Sequence, residues 1–150
     1  MAITKKKKKW DRFPSSYDKF LDATLRIMCA VLKKTNIVYV VDLKYPEPER
    51  TKSGRVVWRR KRVYGSYEPE TDTIKIRIVK SPKAGVHFHN SVKLIVKTAL
   101  HEAMEKLKSR TEFSIRHEFI ELWEYSLFER MNEKQIAYVW SLLPSLPKDQ

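Results

Sequence analysis

Six residues in the last third of the chain have the types and spacing of a reactive centre: His101, Glu102 and Glu105, then His117, Glu121 and Glu124. Successive helical residues turn by about 100°, so His101 and Glu105 project within about 40° of each other, with Glu102 to one side. By the same step His117, Glu121 and Glu124 fall within about 60° of one another. Two ligands at i and i+4 can grip one cation, and a glutamate beside them can take a proton from metal-bound water. A carboxylate from a neighbouring helix can complete three protein donors. The fourth position then stays open for water, whose pKa zinc lowers to about 7. The same spacings also describe ordinary i,i+4 pairs on solvated helix faces, worth about 0.3 kcal/mol each.

A second set of residues suits binding. Lys5, Lys6, Lys7, Lys8 and Lys9 form a basic run, and Trp58, Arg59, Arg60, Lys61, Arg62 and Tyr64 interleave cations with aromatics. Arginine pairs bidentately with phosphate and an aromatic ring stacks on a base, so nucleic acid or an acidic protein surface is the partner such residues fit. Charge on both faces of a strand is also how an edge strand avoids pairing with other chains. His87 and His89 form an H-x-H pair that reads as exposed loop, and Cys29 falls on an apolar helix face and reads as core packing. No helix-turn-helix, zinc-finger or ribonucleoprotein signature fixes a groove or a sequence preference.

The elements that must carry these residues follow from periodicity. Residues 1–13 read as a flexible basic tail and 14–150 as one domain. Pro14-Ser15-Ser16 opens a helix, with a serine as N-cap and Tyr17, Phe20, Leu21, Leu25, Met28, Val31 and Leu32 at helical spacing to Lys34. Ile37 to Val41 is apolar on both faces and reads as a central strand. Pro46 and Pro48 mark a loop whose tip, at Ser53-Gly54, reverses the chain into a strand over Arg55–Tyr64. Thr73 to Lys80 is the clearest strand, Ile74, Ile76 and Ile78 alternating with Lys75 and Arg77. Three helices end the chain: Asn90-Ser91 to Lys108, Ser114 to Met131, and one opened by an Asn132/Gln135 capping box and ending near Pro144. Helix, three strands, three helices is an α+β order, with a three-stranded, mostly antiparallel sheet.

Composition bounds the partners. The 150 residues hold 31 Lys+Arg against 18 Asp+Glu, a formal charge of +13. It is a gradient: residues 1–34 carry +7, 35–65 carry +5, 66–100 carry +3, and 101–150 carry −2. The first two thirds could lie against a polyanion, and the last third could not do so by charge alone. One cysteine excludes an internal disulfide framework and a cysteine-based zinc ribbon. No apolar run approaches the roughly 20 residues a bilayer demands. The lysine run leads into Trp10-Asp11-Arg12 instead of an apolar stretch, so an intracellular, cytoplasmic protein is expected, not a secreted one. Only five Asn and Gln in all fit a heat-adapted source.

One helix carries a more specific likeness. Leu94-Ile-Val-Lys-Thr-Ala-Leu-His-Glu-Ala-Met-Glu-Lys-Leu107 resembles the active-site helix of minimal zincin metallopeptidases, where an apolar run with a threonine leads into H-E-x-x-H. Tyr64-Gly-Ser-Tyr-Glu-Pro-Glu-Thr-Asp-Thr-Ile-Lys-Ile76 is similar to the segment before that helix. His117-Glu-Phe-Ile-Glu-Leu-Trp-Glu124 resembles the helix that gives glutamate-type zincins their third ligand. The resemblance spans about residues 15–130 and implies a zincin-like fold and a metal-dependent, hydrolase-like activity on peptides. It also implies His101 as metal ligand, Glu102 as general base, Glu105 as a substituted ligand, and Glu121 or Glu124 as the third, with His117 beside them. The departure is at Glu105, where the motif has its second histidine. Extra carboxylate makes the site harder and more anionic, weakening it for Zn²⁺, favouring Mn²⁺ or Mg²⁺, or leaving it without metal. Two expectations follow: a zincin-like domain with a divalent-cation site, or a pseudo-enzyme that binds nucleic acid or an acidic surface through its basic residues.

Overall fold

The structure, a computed structural model, describes residues 10, 12–80, 91–109 and 117–147, with the side chains of 117–123 outside the description. Helix α1 spans Lys19–Lys33 and buries Leu21, Leu25, Met28, Cys29 and Leu32. Its N-cap is Asp18, which accepts from the Leu21 N–H at 3.0 Å, and not a serine as the sequence suggested. Ser16 has another partner: its N–H and hydroxyl both donate to Asp22, at 2.8 and 2.7 Å.

Three strands form a mixed sheet. β1 (Asn36–Val41), β4 (Gly65–Glu68) and β5 (Thr73–Ile78) lie in the order β1-β5-β4. β5 is central, parallel to β1 and antiparallel to β4. This corrects the sequence reading twice. β1, apolar on both faces, lies at an edge, and the sheet has one parallel and one antiparallel pair where mostly antiparallel pairing was expected. Its third member is the four-residue β4, not the stretch 55–64. The isoleucines of β5 explain its central place: Ile74, Ile76 and Ile78 all lie in the core, while Lys75 and Arg77 face the other way.

Residues 44–62 form a separate two-stranded ribbon of β2 (Lys44–Arg50) and β3 (Val56–Arg62). The expected loop at Pro46 and Pro48 is therefore a strand, and the register shows why prolines are tolerated. Val63 N–H donates to Leu43 C=O and Thr51 N–H to Arg55 C=O, so odd-numbered residues of β2 make the hydrogen-bonded pairs. Both prolines fall on even positions, where an antiparallel strand needs no N–H toward its partner. The turn lies where expected, with Gly54 at φ 83° donating to Thr51 C=O at 2.9 Å. Tyr64 falls just beyond β3.

Helices α2 (Val92–Ser109), α3 (His117–Arg130) and α4 (Glu133–Leu142) follow in the expected order. α2 packs against β4 and β5 and touches α1, α3 and α4, burying Ile95, Val96, Ala99, Leu100 and Ala103. α4 begins with the expected capping box, Asn132 and Gln135 each accepting from the other's backbone N–H. Trp10 and Phe13, assigned to the tail by sequence, stack edge-on against Tyr138 of α4. Residues 1–9 lie outside the described residues. No helix among the described residues is long and apolar enough to cross a membrane.

Two polar contacts clasp the elements. Lys106, buried on α2, donates to Asp72 at 2.8 Å and to the Thr35 hydroxyl at 2.7 Å. Gln135, fully buried on α4, donates its amide to Asp22 at 2.8 Å and to Pro14 C=O at 3.2 Å. Burial opposes the charge on Asp22, but the Ser16 hydrogen bonds, the Gln135 amide and Arg26 outweigh it and hold its carboxyl below the ordinary range. Asp22→Asn should therefore cost roughly 1–3 kcal/mol in urea unfolding at neutral pH. A depressed pKa stabilises above the unfolded value of about 3.9, and that contribution disappears as pH falls through the lower folded value. The gap between wild type and variant should narrow below that point; a gap independent of pH would show that the charge contributes nothing.

Candidate functional site

A cleft of about 710 Å³ opens between the ribbon, β4, α2 and α3. α2 supplies Thr98, His101 and Glu102, one helical turn placing Thr98 and Glu102 on the side that meets β4. Gly65 makes this contact possible: a Cβ there would lie 2.6 Å from the Thr98 Cγ2, 2.9 Å from the Lys75 carbonyl oxygen and 3.3 Å from the Glu102 Cγ. Thr98 is turned back on its own helix, donating its hydroxyl to Leu94 C=O at 2.8 Å. Glu102 is thus held at the cleft floor, 6% exposed.

The imidazole of His101 is the centre of the acidic group. Its Nδ1 meets the Glu124 carboxylate of α3, and its Nε2 stands 3.9 Å from Glu105, one turn along α2. Burial disfavours the charged ring, but the hydrogen bond to Glu124 and the charges of Glu102, Glu124 and Glu105 prevail and raise its pKa above the ordinary value. Across the cleft stand Arg62 and Tyr64, and Lys97 lines it one turn before His101 on α2. Arg77 lies over the Tyr64 ring at 4.7 Å and Lys97 over the Tyr125 ring at 5.6 Å, so both rim aromatics have a cation on one face. The ribbon is tied to β4 by a chain of hydrogen bonds: Ser66 hydroxyl to Tyr45 hydroxyl at 2.9 Å, Tyr45 to Glu68 at 2.8 Å, and Lys75 to Glu68 at 2.8 Å.

Four of the six residues singled out for chemistry, His101, Glu102, Glu105 and Glu124, therefore meet at one place. His117 and Glu121 belong to α3, but their side chains lie outside the described residues, as do Lys5–Lys9, His87 and His89. Trp58, Arg59, Arg60, Lys61, Arg62 and Tyr64 are all exposed, Arg62 and Tyr64 at the cleft. Sequence reasoning missed Lys97 and Tyr125, and it held Gly65 only as part of the segment Tyr64–Ile76, without its contact to α2. A signal existed for one of the missed pair: Lys97 is four residues before His101 on the same helix face.

Donor chemistry can be tested against a cation. Ligand atoms on one tetrahedral zinc stand about 3.4 Å apart, since each bond is about 2.0–2.1 Å. His101 Nε2 and Glu105 are close to that separation. Glu124 lies on the opposite ring nitrogen, the place of a carboxylate that orients a ligating histidine. Among the described residues no group of three or more His, Cys, Asp or Glu side chains is arranged to hold a metal ion. The described set is a two-donor grip with an orienting carboxylate. No protein-family model, curated protein or solved structure matches this chain.

Two outcomes follow from this geometry. Gly65→Ala should destabilise the fold by about 1–3 kcal/mol through overpacking, and adding Thr98→Ser, which removes the clashing Cγ2, should recover part of the loss. An unchanged urea midpoint in Gly65→Ala would refute the close approach. In the metal-free protein, nuclear magnetic resonance should find His101 titrating above about 6.5, and Glu124→Gln should lower it. The charged ring then contributes stability fully below the unfolded pKa, and loses it as pH rises through the higher folded value. A ring titrating at the free-histidine value would show that the carboxylates do not act on it.

Proposed function

We propose that this cleft is a zincin-like hydrolase centre with a divalent-cation site of reduced donor count, acting on a peptide carbonyl. The observation that carries the reading is the convergence of His101, Glu102 and Glu124, from two helices, at one cleft, with Glu105 3.9 Å from the His101 Nε2. These are residues to which the zincin resemblance assigns metal and base roles. His101 Nε2 and Glu105 would hold the cation, and the third protein position is left to Glu121, because Glu124 is engaged on the opposite ring nitrogen. A bound cation there supplies Lewis-acid polarisation of a carbonyl and a more acidic water.

The protein's own groups do the rest. Glu124 accepts the Nδ1 proton and so leaves the Nε2 lone pair of His101 directed away from it, toward Glu105. Glu102 is positioned by the β4 contact to take a proton from a nucleophilic water and return it to the leaving amine. Its burial keeps competing bulk water from the carboxylate. With one imidazole and several carboxylates, the donor set is hard, and Mn²⁺ suits it as well as Zn²⁺.

Protein purified without chelator should carry a divalent metal, and Mn²⁺ or Zn²⁺ at a hundred-fold excess over its Kd should raise Tm by roughly 5–10 °C. His101→Ala and, separately, Glu105→Gln should abolish that rise. Glu102→Gln should keep the rise while lowering peptide hydrolysis by about 10²–10⁴-fold. No stoichiometric metal together with a Tm indifferent to both ions would sink the proposal.

A further inference from the structure

The ribbon sorts its charges by face. Cross-strand partners in an antiparallel ladder share a face, and successive residues alternate between faces. Lys44↔Arg62, Pro46↔Arg60, Pro48↔Trp58 and Arg50↔Val56 therefore form one face, and Tyr45↔Lys61, Glu47↔Arg59 and Glu49↔Val57 the other. Both acids of the ribbon fall on the second face. There Glu49 meets Arg59 at 3.2 Å and Lys61 at 4.0 Å, and Tyr45 anchors the ribbon to β4. The first face has four cations and no acid. All eight of its residues are exposed, and among the described residues none of Lys44, Arg50, Arg60 and Arg62 makes an ion pair.

Trp58 lies in the middle of that face, 69% exposed, with Arg60 two residues away on its own strand and Pro48 opposite. Leaving a ring of this size in water forgoes about 1.5–3 kcal/mol of burial, which a ligand stacked on it would recover. Cations at alternate positions of one strand are about 6.7 Å apart, a rail along which an anionic backbone can run. Trp58, at the next alternate position of the same strand, offers a flat face at the level of that rail. A duplex hides the faces of its bases, and an acidic peptide has none to present; an unpaired strand supplies both phosphates and free base faces.

We infer that the Lys44, Arg50, Trp58, Arg60, Arg62 face of the ribbon binds single-stranded nucleic acid, the cations pairing with phosphates and Trp58 stacking on a base. Arg62 also lines the cleft, while Lys44, Arg50, Trp58 and Arg60 stand outside its lining, and the test reads binding without depending on any activity of the cleft.

The test is fluorescence anisotropy of a labelled oligothymidylate titrated with the full chain over a range of salt. The logarithm of affinity should fall linearly with the logarithm of salt, and Arg60→Ala/Arg62→Ala should reduce the slope by about 1.4, about 0.7 for each phosphate contact. Arg59→Ala/Lys61→Ala, which removes the same charge from the other face, should leave the slope nearly unchanged. Trp58→Ala should weaken binding roughly ten-fold or more, and Trp58→Phe should retain most of the affinity because the ring face remains. Circular dichroism of each variant distinguishes lost contacts from lost fold, and Trp58→Phe keeps the stacking claim testable if Trp58→Ala is unstable. Equal effects from the two double variants would overturn the inference, as would full affinity in Trp58→Ala. Binding of a duplex or of polyglutamate as tightly as the single strand would overturn it too. Affinity indifferent to every ribbon variant would place the contact in the lysine run at residues 5–9 and overturn it as well.

Discussion

The bare Cα of Gly65 is the constraint on which the cleft depends. β4 lies so close to α2 that a methyl group at this position would collide with a side chain and with the backbone of β5. Because β4 can approach, β5 acquires a second neighbour and becomes the central strand, and Glu102 is pressed between helix and sheet. Because β4 is fixed, the ribbon has an anchor, through Tyr45, Ser66 and Glu68. Backbone close approach of this kind is one of the few structural demands that only glycine meets. Here it sets the width of the space in which the acidic side chains gather.

Charge is distributed in three dimensions more sharply than in sequence. The carboxylates of α2 and α3 gather round a single imidazole, where each favours the ring's proton. The cations of residues 44–62 are divided by register into a compensated face and an uncompensated one. The buried Lys106 is satisfied by Asp72 and Thr35, so its charge is spent on holding α2 to the two turns beside the sheet. A net charge of +13 is thus three separate arrangements: one acidic group round an imidazole, one outward-facing and one structural.

Much of this was legible in the sequence. Long periodic segments showed α1, α2, α3 and α4, the alternation of isoleucines showed β5, and Asn132 with Gln135 announced their capping box, because each is a local pattern with a local cause. The pairing of His101 with a glutamate 23 residues away was legible only as a convergence of polar faces. What escaped was decided by partners. Gly65–Glu68 is too short and too polar to show a period, and becomes a strand because β5 offers it an edge. Pro46 and Pro48 spoke for a loop until the register put their missing N–H groups on the outside. Ser16 seemed a helix cap, but the buried Asp22 claims it. Ile37–Val41 was apolar enough for a centre, yet the topology gives it only one neighbour.

The parallel pairing of β1 with β5 has a consequence for how the chain assembles. Asn36 meets Thr73 across 37 residues, and β1 has no ladder to join until β5 is in place. The ribbon and β4 lie inside that interval, and the ribbon and the β4–β5 hairpin can close on local contacts. Each takes residues out of the free loop, leaving a shorter stretch of loose chain to order when β1 docks. The ribbon therefore serves the fold as a folded spacer, lowering the contact order that the crossover would otherwise impose on the last strand to arrive.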